Sequence, residues 1–133
     1  MRKFAHFQVN TLLRRFAAQV KRTAESADPD AVHDLRVAIR RLSRALRSFA
    51  QFFAGKSWKR IRKRLSHLME LAAAVRDRDV ALELLEDSGI ARRQRITSTL
   101  QTERRQAELD LRAELESWQA RRFAREWRKE LEI

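Results

Sequence analysis

The chain has 133 residues and a formal net charge of +12; 44% of its residues are hydrophobic and 36% are charged. It contains two glycines, one proline and no cysteine. The lack of cysteine excludes disulfides and thiolate metal sites, and the scarcity of helix breakers predicts one all-α domain spanning residues 1–133. No run of about 18 apolar residues occurs and the first residues do not resemble a secretory signal, so we expect a cytoplasmic protein.

The positive charge is concentrated in one part of the chain. Residues 29–69 contain eleven Lys or Arg and two Asp, a local net charge of +9. The rest of the chain has nineteen basic and sixteen acidic residues, a net charge of only +3. Because such a local excess repels itself, it indicates a partner of opposite sign, such as nucleic acid, a phosphate polymer or an anionic membrane.

Apolar residues repeat at helical spacing and predict an antiparallel bundle of five to six helices. The predicted helices span about residues 3–24, 29–54, 58–74, 77–88, 90–116 and 119–132. Asp28, followed by Pro29, is the expected N-cap of the second helix, and Gly55 its left-handed stop. Ser57 and Asp77 are expected to cap the third and fourth helices. The basic last helix fits either a membrane surface or docking on the bundle, and docking is the commoner case.

The second predicted helix carries two rows of side chains on neighbouring faces. The apolar row, which belongs to the core, consists of Val32, Leu35, Ile39, Leu42, Leu46, Phe49 and Phe53. The basic row consists of His33, Arg36, Arg40, Arg44 and Arg47. The basic row extends roughly 21 Å along the helix axis. No Glu lies between residues 26 and 69 to neutralise it, so the row predicts binding of an extended polyanion.

The third predicted helix adds a second basic surface. Its basic residues lie on the side away from its apolar row: Lys59, Arg60, Arg62, Lys63 and Arg64. Because the connection between the second and third helices is short, the two helices should be antiparallel neighbours. Their basic faces are then expected to share one groove.

The other candidate groups for chemistry have simpler structural interpretations. His33 has no second histidine one turn away and no nearby nucleophile, so we expect it to donate a hydrogen bond to phosphate rather than bind metal or act as a base. Asp77 and Asp79 are candidate magnesium ligands or catalytic acids, but a helix cap and ion pairs with neighbouring arginines explain them better. No glycine loop for phosphate is present. We therefore expect no catalysis, no cofactor and no metal.

Three segments resemble motifs of the CHAD domains, the conserved histidine alpha-helical domains. Residues 28–42, with the sequence DPDAVHDLRVAIRRL, closely resemble the opening signature of that family. Residues 75–80, VRDRDV, resemble its Arg-Asp-x-Asp-Val element, and residues 115–123 resemble the place where a long helix precedes a short basic one. The resemblance covers nearly the whole chain, but it corresponds only to the N-terminal half of a full CHAD domain.

The resemblance implies an all-α fold of two bundles around a basic cavity that binds inorganic polyphosphate, at polyphosphate granules and without catalysis. The expected binding residues are His33, Arg36, Arg40 and Arg76 by motif, Lys59, Arg60, Lys63 and Arg64 by location alone, and Arg44 and Arg47 by helical phase. Ser43 and Ala73 stand where the family often has Arg and Gly. Because half of the cavity is missing, we expect a homodimer that restores the twofold axis and closes the groove.

Three other functions are alternatives, and they differ in the further residues that each would need. A nucleic-acid-binding protein, the main alternative, would place Asn, Gln or exposed aromatic side chains beside the basic row. A phosphohydrolase would need metal-binding carboxylates at the groove, for which only Asp77 and Asp79 are candidates. An assembly module would instead use the basic face to bind an acidic protein.

Overall fold

The computed structural model describes residues 1–89 and 93–133, which form helices and contain no strand. The helices are α1 (Arg2–Glu25), α2 (Pro29–Ser48), α3 (Ser57–Ser88), α4 (Arg93–Ala120) and α5 (Phe123–Leu131), with a 3-10 turn at Ala50–Phe52. The all-α prediction is therefore confirmed. The expected start of a helix at Ile90 lies outside the described residues. No helix in the described part is long and apolar enough to cross a membrane.

The connection between α1 and α2 is fixed from both sides. The Asp28 carboxylate accepts a hydrogen bond from the Ala31 N–H at 2.8 Å, which confirms the predicted N-cap. From α4, Arg112 donates to the Ala24 carbonyl oxygen at 3.0 Å, and Arg104 donates to that of Ala27 at 2.6 Å. Arg112 thus satisfies a carbonyl that the end of α1 leaves open, and Arg104 satisfies one in the connection itself.

The second helix ends at Ser48, six residues before the predicted end at Ala54. The chain then enters the 3-10 turn, where the His6 Nε2 forms a hydrogen bond with the Phe52 carbonyl oxygen at 2.9 Å and the His6 ring stacks on Phe53. These contacts with α1 hold the turn and bury Phe53, which a continued helix could not do in the same way. Gly55 adopts the expected left-handed conformation, but within this connection and not as the cap of α2.

The predicted helix break at Asp77 is wrong, because α3 continues without interruption from Ser57 to Ser88. Val75 and Asp79, one turn apart, are both buried on the face that packs into the bundle. Asp79 does not need a helix start to be stabilised, since it forms an ion pair with Arg104 of α4. The cap predicted at Ser57 is also wrong: Lys56 holds the N-cap position, and the Ser57 hydroxyl accepts from Arg60.

Four long helices enclose one hydrophobic core, and α5 closes one part of it. α1 packs against α2 and α4, and α3 packs against the same two helices. The fifth helix buries Phe123, Trp127 and Leu131, so it docks on the bundle, as the commoner of the two predicted placements. Its rings join Phe16 and Trp118 in an aromatic cluster with ring centroids 5.0–6.1 Å apart.

Candidate functional site

An open groove with a volume of about 330 Å³ runs between α2 and α3, and we call it the α2/α3 groove. The residues that line it are Ile39, Arg40, Ser43, Arg44, Arg47, Arg62, Ser66 and Met69. Ile39 and Met69 give it an apolar base, while four guanidinium groups and two hydroxyls give it hydrogen-bond donors. No carboxylate is among these lining residues, so the groove presents uncompensated positive charge.

Helical phase explains why these side chains meet. On α2, positions 40, 43/44 and 47 lie on one face; on α3, positions 62, 66 and 69 do the same. The Arg62 Nε donates to the Ser43 hydroxyl at 3.2 Å and joins the two helices across the groove. Ser43, which stands where CHAD domains often have Arg, therefore contributes a hydroxyl to the groove.

Arg36 lies one turn before Arg40 on α2, and neither Arg36 nor Arg76 of α3 is among the residues that line the α2/α3 groove. Its Nε is buried and has no hydrogen-bond partner among the described residues. Burial lowers the pKa of Arg36, and the neighbouring charges of Arg40 and Arg76 lower it further, against the opposite effect of Asp77. A bound anion would relieve this repulsion and supply the missing acceptor.

The basic residues of α3 do not all face the groove. The guanidinium of Arg64 lies over the Trp118 and Trp127 rings, 5.1 and 5.7 Å from their centroids, on the α4/α5 side of the helix. The Lys59 Nζ lies over its neighbour Trp58, and Arg60 donates to the Ser57 hydroxyl. Neither of these nor the exposed Lys63 lines the α2/α3 groove.

Arg62 is the groove residue that the sequence-based assignment left out. Its signal was present in the sequence: Arg62, Ser66, Met69 and Arg76 follow one another at spacings that keep them on one helix face. A count of basic residues on α3 does not distinguish the faces of the helix, because five of these residues lie within two turns.

Comparison with known families identifies the family of this chain. A family model described as CHAD domain matches residues 8–132, nearly the whole chain. The chain belongs to the CHAD domain family. CHAD domains are associated in general with polyphosphate binding. Neither the search of curated proteins nor the search of solved structures found a match.

In this CHAD domain, His33 is exposed at the start of α2 and contacts a carboxylate. Its Nδ1 lies 3.3 Å from the Asp34 Oδ1, and the Asp34 Oδ2 accepts from Arg22 of α1 at 2.6 Å. Hydrogen bonds from Arg22 first, and then from His33, lower the pKa of Asp34. His33 is on the basic row but does not line the α2/α3 groove, and its role in binding phosphate stays a prediction.

Asp77 and Asp79, the two candidate magnesium ligands, lie in different surroundings. Asp79 is 6% exposed, and its Oδ1 accepts from the Arg104 Nε at 2.8 Å. Arg104 also pairs with Glu108 at 2.9 Å, so the carboxylate of Asp79 belongs to a structural network between α3 and α4. Asp77 is exposed. No group of three His, Cys, Asp or Glu that could hold a metal ion occurs among the residues that the structure describes.

Proposed function

We propose that this CHAD domain binds inorganic polyphosphate in the α2/α3 groove and does not cleave it. The observation that carries the proposal is the groove lining: four arginines from two helices and two serine hydroxyls, with no carboxylate beside them. Family membership supports polyphosphate as the anion. A location in the cytoplasm at polyphosphate granules belongs to the same proposal.

The binding mechanism follows from the arginine row. Arg36, Arg40, Arg44 and Arg47 lie along roughly 16 Å of α2. Arg62 lines the groove from α3, and the charge of Arg76 acts on Arg36. Each planar guanidinium can donate two parallel hydrogen bonds to phosphate oxygens. A linear chain of phosphates would contact several of these groups at once, and its own charge would offset their mutual repulsion.

The lack of catalysis is proposed from the positions of the carboxylates. Hydrolysis of a phosphoanhydride at this groove would call for carboxylates that hold metal ions against the phosphates. Asp79, the buried candidate, is already hydrogen-bonded to Arg104 on the other side of α3. Asp77 alone, exposed beside Arg76, would give a single ligand.

We propose further that a second copy of the chain helps to enclose the bound polymer. The α2/α3 groove is open along one side, and the residues at its rim are exposed. A pair of chains related by a twofold axis would present two such grooves and double the number of guanidinium groups available to one long polymer.

The test of the site is a titration of long-chain polyphosphate against matched variants. Replacement of Arg40 and Arg44 by Gln should weaken binding by about tenfold for each guanidinium, since a charge-assisted contact contributes about 1.5 kcal/mol. The control replaces Arg121 and Arg125, two exposed arginines at α5, by Gln. This control removes the same charge away from the groove and should have a much smaller effect. Equal losses in both variants would show that only net charge matters and would overturn the assignment of the groove.

A further inference from the structure

A second groove lies between α1 and α2, on the face of α2 next to the polyphosphate site, with a volume of about 470 Å³. We call it the α1/α2 groove. Phe4, Leu12 and Phe49 supply its apolar lining, and the Phe4 and Phe49 rings meet edge-on at 6.0 Å. Phe4 remains 55% exposed. Together these side chains form an apolar patch at the surface, the kind of patch that marks a site of interaction.

The rim of the α1/α2 groove is basic. Arg15, Arg41 and Arg44 line it, and neither residues 1–24 nor residues 35–69 contain an Asp or Glu. A partner for this groove therefore needs apolar side chains for the base and carboxylates for the rim. This is the chemistry of one face of an acidic amphipathic helix.

The last part of α3 has this chemistry, and we call residues 80–87 the acidic tip. Val80, Glu83, Leu84 and Asp87 follow at spacings of three, one and three residues, so they share one helix face. Leu84 is 65% exposed and Val80 is 36% exposed. From residue 79 to 88 the chain contains four acidic residues and no basic one.

The charge distribution along α3 is unfavourable for the helix itself. Residues 56–64 contain six Lys or Arg and no acidic residue, whereas all charged residues at positions 79–88 are acidic. The positive end of a helix dipole is at the N-terminus, so α3 carries the wrong charge at both ends, with no acid in its first turn and no base in its last turn. At the basic end, Arg62 lines the polyanion site. A basic surface elsewhere would give the acidic end a corresponding role.

We infer that two copies of this chain pair antiparallel, with the acidic tip of each seated in the α1/α2 groove of the other. The inference specifies how the second copy of the proposed function is held and rests on that part of it. The geometry permits it because groove and tip lie at opposite ends of the bundle. Phe4 begins α1 and Phe49 follows α2 at one end, while α3 continues roughly 18 Å past Arg76, which lies near Arg36 in the first half of α2.

The alternative contact between two copies is unfavourable. Placing one α1/α2 groove directly against another would bring the rim arginines of both chains together without a carboxylate between them. When the acidic tip of each chain lies in the α1/α2 groove of the other, opposite charges meet at both contacts. A twofold axis makes these two contacts identical. The paired tips also leave Phe4 and Leu84, two of the most exposed apolar residues, covered.

Sedimentation equilibrium of the full chain without polyphosphate tests the contact. The wild-type chain should form dimers. The tip-reversed chain carries Glu83→Lys and Asp87→Lys, and the groove-reversed chain carries Arg15→Glu and Arg41→Glu. Each charge reversal should weaken dimerisation by about tenfold or more, because like charges then meet at both contacts. These variants avoid Arg44, which lines both grooves. Glu116→Lys, at an exposed site on α4, is the control and should leave dimerisation as in the wild type.

A mixture of the two reversed chains gives the sharpest outcome. Tip-reversed and groove-reversed chains should each be monomeric alone and should form heterodimers when mixed, since both contacts then join opposite charges. Failure of the mixture to associate would overturn the inference. If both reversed chains dimerise as tightly as the wild type, this contact is wrong but the proposed dimer stands. A monomeric wild-type chain would overturn both. Polyphosphate titration of the tip-reversed chain reports separately on the binding site.

Discussion

Arg62 and Arg64 lie two residues apart in α3 and contact different partners. Arg62 points into the α2/α3 groove and donates to Ser43, whereas Arg64 lies over the Trp118 ring on the other side of the helix. Two residues correspond to about 200° of rotation, which is enough to exchange one face for the other. A list of basic residues cannot separate them, but their helical phase can.

The pair gives a matched test of the site at the residue scale. Arg62→Gln should weaken polyphosphate binding by about tenfold and change stability little. Arg64→Gln should leave binding nearly unchanged and lower the free energy of unfolding by about 1 kcal/mol, because it removes a cation–π contact with two indoles. Titration with polyphosphate and urea unfolding of both variants measure the two effects. The reverse assignment of losses would contradict the orientation of α3.

At the scale of the element, α3 shows what sequence reasoning could reach and what it could not. The apolar periodicity and the Asp28 cap of α2 are local signals, and the structure confirms them. The two aspartates near residue 78 looked like a helix start because helix starts favour acids. In the structure, Asp79 instead accepts a hydrogen bond from Arg104, which is 25 residues away in the sequence. No local pattern contains that contact.

The Asp79–Arg104 pair should therefore contribute to stability and not to binding. Asp79→Ala is expected to lower the free energy of unfolding by about 3 kcal/mol, since it leaves the largely buried Arg104 without its partner in α3. Asp77→Ala, at the exposed neighbouring carboxylate, is the control and should change stability by less than about 0.5 kcal/mol. Urea unfolding compares the two. A large loss for Asp77→Ala with none for Asp79→Ala would instead support the predicted helix cap.

The whole molecule combines a bundle core with two charged surfaces of opposite sign. The α2 half of the α2/α3 groove was predictable because one helix carries both the core row and the arginine row. On α3, the assignment left out Arg62, which lines the groove, and named Lys59, Arg60, Lys63, Arg64 and Arg76, which do not. The acidic tip and the α1/α2 groove became visible only when the fold showed which apolar residues remain exposed.

The central claim is that the groove is built for a flexible phosphate polymer and not for a nucleic acid. No aromatic residue is among those that line the α2/α3 groove, so this groove offers no ring on which bases could stack. The most direct test is a titration of the wild-type chain with long-chain polyphosphate, duplex DNA and single-stranded RNA at matched salt concentrations. We predict that polyphosphate binds tightest at every salt concentration and that its affinity falls as salt rises. Equal or tighter binding of either nucleic acid would contradict the account.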